Sequence, residues 1–121
     1  MLINLTNHPC KNWDYNQLKE AELHYGEIVD MAFPYINTDT TLTEIINLAN
    51  EYLTKIISLL KDKNNSAVHI SGEFVFVYNV VKLLQQNNIK AITSVTERNV
   101  ITEANGLKTS LFVFKGFRPY F

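Results

Sequence analysis

The stretch Ala67–Gln86, AVHISGEFVFVYNVVKLLQQ, decides the fold. Its first four residues, Ala67 to Ile70, are too short a run to be anything but a central strand, and the polar junction Ser71-Gly72-Glu73 ends it. The next part, FVFVYNVV, is rich in residues that favour strands. Yet Val77, Val80, Val81 and Leu84 share one helical face, and the following LLQQNN is helical in composition. A helix over Phe74 to Gln86 turns the stretch into strand, glycine junction and helix, the repeating unit of a parallel α/β sheet.

The same alternation extends in both directions. Upstream, the segment Leu42 to Leu60 carries Leu42, Ile45, Ile46, Leu48, Ala49, Tyr52, Leu53, Ile56, Ile57, Leu59 and Leu60, spaced by three and four, a helix with a broad buried face, and the turn KDKNNS divides it from the central strand. Before it, Glu27 to Phe33 reads as a strand closed by Pro34, which cannot donate to a ladder. Asp14 or Asn16 can cap an earlier helix through Gln17, Leu18, Ala21, Glu22 and Leu23, with Gly26 placed to stop it. Met1 to Leu5 is an apolar first strand, bounded by the polar stretch Thr6 to Pro9. Downstream, Lys90 to Val95 is a fourth strand, and Asn99 to Glu103 and Lys108 to Phe117 form a hairpin about Ala104-Asn105-Gly106. The expected fold is therefore α/β, a Rossmann-like, mostly parallel sheet with flanking helices and a C-terminal β-hairpin, in one domain over residues 1–121.

Composition narrows the function classes. Of 121 residues, 46% are hydrophobic and 19% charged, the balance of an ordinary globular chain. The net charge of −1 gives no field that would draw in duplex DNA or an anionic membrane, so any anion has to be held by local groups. Cys10 is the only cysteine, which rules out an intramolecular disulfide and paired-cysteine zinc sites, and the scattered histidines have no metal-ligand spacing. Neither a metal nor another cofactor is expected. No apolar run reaches the roughly 20 residues of a membrane span, and the opening MLINLTNHPC lacks the basic start and long apolar stretch of a signal peptide, so the expected location is cytoplasmic.

In an open parallel sheet, ligands settle at the carboxyl ends of the strands, where helix N-termini offer free N–H groups. Three polar junctions fall there: Thr6-Asn7-His8, Ser71-Gly72-Glu73 and the segment Thr93 to Arg98. His8 either contacts phosphate or exchanges protons, or, with Asn7, shapes the turn before Pro9. Gly72 either lets a phosphate approach the backbone beside Ser71 or simply permits the turn. Glu73 is a catalytic base or a first-turn helix residue. Arg98, after Thr96-Glu97, clamps a phosphate or pairs with Glu97 or Glu103 at the surface. Trp13, flanked by polar residues, is the aromatic best placed to stack on a base. His24 on a helix and His69 inside a strand carry less promise, a core hydrogen bond being the usual fate of the latter. The aromatic tail Phe112, Phe114, Phe117, Tyr120 and Phe121 buries against the chain's own sheet or in a symmetric dimer.

The opening LINLTNHP, the junction HISGE, the segment SVTER and the closing KTSLFVFKGFRPY together resemble small CRISPR-associated proteins of type III systems, related to the CARF and ring nuclease group. The resemblance covers nearly the whole chain. It implies a Rossmann-like homodimer that binds cyclic oligoadenylate at the strand-end edge across its two-fold axis. In ring nucleases the ring is then cut without a metal, the 2′-hydroxyl attacking the adjacent phosphate, which switches off antiviral signalling. By position, Thr6, Asn7, His8, Ser71, Gly72 and Glu73 would line the pocket. Thr6, Asn7, Ser71 and Arg98 are suitable hydrogen-bond donors, Thr96 adds to the lining, and His8 or Glu73 could move a proton. With no effector domain attached, the implied roles are a stand-alone ring nuclease or a sponge that only binds the messenger. A small protein-interaction module docking through the aromatic tail is the reading from a different class.

Overall fold

The computed structural model describes residues 1–121. Strand β1 (Leu2–Leu5) is followed by helix α1 (Tyr15–Tyr25), β2 (Ile28–Asp30), α2 (Leu42–Leu59), β3 (Ala67–Ile70), α3 (Phe74–Gln86), β4 (Lys90–Thr102) and β5 (Lys108–Pro119). They build one five-stranded sheet in the order β2-β1-β3-β4-β5, parallel throughout except for the antiparallel pair β4–β5. The α/β fold read from the sequence is the one observed.

Each helix starts on a side chain that accepts a free backbone N–H of its first turn, the role a cap residue performs. Asp14 accepts from Gln17, Thr41 from Glu44, and Glu73 from both Val75 and Phe76. Strand alternation then divides the core in two. Ile3, Leu5, Val68, Ile70 and Ala91 face α2 and α3, where Phe76 is fully buried between the rings of Phe33 and Tyr52, both edge-on at 5.2–5.3 Å. Leu2, Ala67 and Ile92 face the other way, onto α1, and pack with Trp13 and Ala21.

Two boundaries differ from the sequence reading. The strand expected over Glu27–Phe33 is confined to Ile28–Asp30, because β1 pairs with it only from Leu2 to Asn4 and the chain then turns to lay Phe33 under Gly72. The fourth strand does not end at Val95 but continues without a break to Thr102, so strand and hairpin arm are one element. Nothing between Val95 and Asn99 favours a turn, and β5 absorbs the change in curvature by a bulge opposite Val95/Thr96. From Thr93 onward β4 pairs only with β5, a two-stranded arm roughly 30 Å long at about 3.3 Å per residue.

The aromatic tail divides. Phe114 is buried, Phe117 packs on Phe114 and His69, and the Tyr120 hydroxyl donates to the Ile70 carbonyl at 2.6 Å, whereas Phe112 and Phe121 stay exposed. No helix is long and apolar enough to cross a membrane.

Candidate functional site

The connection from β1 leads to β2 on one side, and the connection from β2 leads back past β1 to β3 on the other. The order therefore reverses between β1 and β3, and a crevice opens at their carboxyl ends. There a cleft of about 450 Å³ lies on the α1 face, lined among others by Thr6, His8, Trp13, His69, Ser94 and Thr96. Its volume is in the range of small-ligand sites. Neither Lys nor Arg lines it.

The floor of the cleft is a row of polar side chains above an apolar one. Asn4 and His69 are direct neighbours in the β1–β3 register, and Ser94 lies two residues beyond Ile92, the β4 partner of His69. All three continue the face begun by Leu2, Ala67 and Ile92, and Thr6, Ser71 and Thr96 follow them outward at the same spacing of two. The three strand ends thus read Asn4-x-Thr6, His69-x-Ser71 and Ser94-x-Thr96.

Asn4 and His69 are buried, so their polar atoms need partners, and the partners fix every proton. Asn4 Nδ2 donates to the His8 carbonyl and to Asp30 Oδ1, both at 2.8 Å, and neither of those groups can donate in return. The amide oxygen of Asn4 therefore faces His69 Nδ1, 2.9 Å away, and Nδ1 carries the hydrogen. Burial, with the nearby His8 as a smaller cause, lowers the His69 pKa to about 4, so the ring is neutral near pH 7 and Nε2 is an open acceptor. Ser94 Oγ lies 2.7 Å from Nε2 and donates to it, while Gln17 Nε2 donates to the same Oγ at 3.1 Å.

The surroundings hold this chain rigid. The Asp30 carboxylate also accepts from Cys10 N at 3.0 Å and from the Cys10 thiol at 3.4 Å; burial and then Asp30 push that thiol's pKa up, away from reactivity. Trp13 Nε1 donates to the His8 carbonyl at 3.0 Å, and its ring stands edge-on to His69 at 5.2 Å. The Thr6 hydroxyl is 2.9 Å from Asn4 Oδ1 and accepts from the His8 backbone N–H at 3.1 Å.

Of the residues singled out in the sequence, Thr6, His8, Trp13, Ser71 and Thr96 come together in this cleft. Trp13 is only 9% exposed, so it acts as a wall and a loop anchor. Asn7 and Glu73 face a separate hollow with Phe33 and Tyr35, and both Glu73 oxygens are engaged by the backbone of α3, at 3.1 Å from Val75 N and 2.7 Å from Phe76 N. Gly72 has φ +151°, and a Cβ there would lie 2.3 Å from the Phe33 ring, so close packing accounts for the glycine. Arg98 is out on the β4–β5 arm, its guanidinium bonded to Ser110 Oγ at 3.0–3.1 Å. The sequence reading gave Asn4 no role, held Ser94 only as part of the segment Thr93 to Arg98, and set His69 aside. The available signal was a polar residue two positions before each polar strand end, which in β1 and β3 interrupts an otherwise apolar strand.

The model of one protein family, described as Uncharacterized protein MJ1673 family, matches residues 1–118. No curated protein and no solved structure matches the chain.

Proposed function

We propose that this chain, which belongs to the uncharacterized protein MJ1673 family, binds cyclic oligoadenylate in the cytoplasm and opens the ring by metal-independent attack of a 2′-hydroxyl on the adjacent phosphate. The observation that carries the reading is the pair of imidazoles in one cleft: a buried, neutral His69 with its acceptor nitrogen on a hydroxyl, and an exposed His8 at the rim. Two such groups in different environments suit the two proton transfers of the reaction. His69 takes the proton of the 2′-hydroxyl, through Ser94 Oγ, as the new 2′-O–P bond forms. His8, as the general acid, gives a proton to the departing 5′-oxygen as the P–O5′ bond breaks, leaving a 2′,3′-cyclic phosphate and a 5′-hydroxyl. Thr6, Ser71 and Thr96 supply donors to the phosphate oxygens, where positioned hydrogen bonds stabilise developing charge.

The cleft is smaller than a cyclic oligonucleotide, which fits a ring shared between the clefts of a symmetric dimer. LINLTNHP and SVTER, two of the four segments that carry the resemblance to ring nucleases, contribute Asn4, Thr6, His8, Ser94 and Thr96 to the cleft or its floor. The lack of any Lys or Arg in the lining leaves the charge developing at phosphorus without a cation, which favours a second reading, a module that holds the messenger without cutting it.

Incubation with cyclic tri-, tetra- and hexa-adenylate in the presence of EDTA tests both. Linear product ending in a cyclic phosphate supports the nuclease. A raised melting temperature with intact rings supports the binding module, since a ligand of the folded state stabilises it. Intact rings with no thermal shift overturn both.

A further inference from the structure

Ser94, His69 and Asn4 stand as nucleophile, base and orienting group stand in enzymes that work through a covalent serine intermediate. Ser94 Oγ is 2.7 Å from His69 Nε2, and His69 Nδ1 is 2.9 Å from Asn4 Oδ1. The direction of each hydrogen bond is forced, because Asn4 Nδ2 is committed to the His8 carbonyl and Asp30. The hydroxyl proton of Ser94 therefore points at the base that would remove it.

We propose that this triad gives the cleft a second activity, acyl transfer through Ser94 from uncharged carboxylic esters. The substrate class follows from the lining, which joins hydroxyl groups and the Asp14 carboxylate to Trp13, Phe112 and Phe114 and has no Lys or Arg to pair with a carboxylate on the substrate. Ser94 is half-buried and open to the cleft, as a nucleophile must be. Gln17 Nε2, 3.1 Å from Ser94 Oγ, is an amide donor beside the atom that becomes bonded to the carbonyl carbon. It is within reach of an oxyanion formed there, the kind of donor that stabilises a tetrahedral intermediate.

The Oγ–carbonyl carbon bond forms as the Ser94 proton passes to His69 Nε2. When the intermediate collapses, the bond from that carbon to the alkoxy oxygen breaks and the leaving alcohol takes the proton from His69. Water then attacks the acyl carbon and gives a proton to His69, and Ser94 Oγ departs with it, releasing the acid. Asn4 is a positioning residue: it holds His69 in the tautomer with Nε2 free, and Asp30 acts on the base only through it.

The full chain is treated with an alkyl fluorophosphonate and with p-nitrophenyl butyrate. The expected result is one adduct, located on Ser94 by peptide mass spectrometry, and ester turnover that the adduct blocks. His69→Gln slows labelling by about a hundredfold or more, the usual size of a lost general base. Asn4→Ala moves the acid limb of the labelling rate, a readout that a purely structural role leaves in place; His8, Asp14 and Asp30 are the titratable groups around the pair and are kept in that variant. No adduct on the wild-type chain, or an adduct elsewhere that is indifferent to His69→Gln, overturns the inference. The wild-type result does not depend on any variant folding. The inference also stands apart from ring cleavage: cut rings without an adduct remove only the acyl-transfer activity, and an adduct with intact rings removes only the nuclease.

Discussion

Ser94 Oγ and His69 Nε2, 2.7 Å apart, join the arm-bearing fourth strand to the centre of the parallel sheet by a hydrogen bond whose direction is set from Asn4. Both chemical readings of the cleft pass through this contact. They divide on where the hydroxyl's electrons go: to a proton in transit, or to a carbon.

His69 makes stability depend on pH. Above about pH 6.5 the ring is neutral in the folded and unfolded chains alike and the cost of burying it is not exposed. As pH falls from 6.5 to about 4, the unfolded chain takes up a proton that the folded one refuses, so stability is lost, levelling off below pH 4. The whole step is about 3 kcal/mol at about 1.4 kcal/mol per pKa unit. Urea unfolding at intervals across this range, for wild type and His69→Gln, measures it: the difference between the two curves slopes in that window, and parallel curves refute the buried neutral imidazole.

His8→Ala and His69→Ala are expected to lower ring cleavage by about a hundredfold or more each while the thermal shift on ligand binding survives. Single-turnover assays separate the two residues. Loss of His69 removes the acid limb of the rate profile near pH 4, whereas loss of His8 leaves that limb in place. A His8 variant with full turnover sinks its role as the acid.

Glu73→Ala costs about 1 kcal/mol of stability, the worth of a helix cap that accepts two backbone N–H groups. Turnover at saturating ligand stays within twofold of wild type. If turnover collapses and the unfolding midpoint holds, Glu73 is a chemical group after all.

Gly72→Ala is expected to destabilise the fold by roughly 1–3 kcal/mol, since the added methyl group meets the Phe33 ring at 2.3 Å in a backbone conformation unfavourable to alanine. Combining it with Phe33→Ala relieves the contact, so the double variant is more stable than the sum of the two single changes predicts. Additivity would mean that the glycine serves a ligand and not the packing.

Arg98→Ala changes stability by no more than about 0.5 kcal/mol, as exposed substitutions outside special sites do, and leaves cleavage by the cleft unchanged. Loss of turnover in that variant would show that the arm folds over the ligand.

The sequence carried the fold because its apolar periodicities are strong where tertiary packing agrees with them. α2 and α3 end within a residue of their expected limits, and Gly26 stops α1 as read. β2 was read too long because Met31 and Phe33 are apolar for packing against the α2–α3 core, not for pairing in the sheet. The strand-end edge was legible from topology, and Thr6, His8, Ser71, Thr93, Ser94 and Thr96 from its three junctions line one cleft. Asn4, His69 and Ser94 were harder to see. A polar residue inside a buried strand looks like an isolated core exception until the register shows that three of them stand side by side. Glu73 and Gly72 looked functional because helix capping and ring packing use the same residue types as phosphate loops.

That register has one more consequence. Asn4 faces His69 only because Leu2 pairs with Ala67, and Ser94 reaches the imidazole only because His69 pairs with Ile92. A slip of β3 by a single residue would bring Val68 or Ile70 to the place of the base and turn the imidazole to the opposite side of the sheet. The cleft is in this sense a proofreader of its own assembly: its chemistry exists in the correctly paired chain and in no near-native alternative.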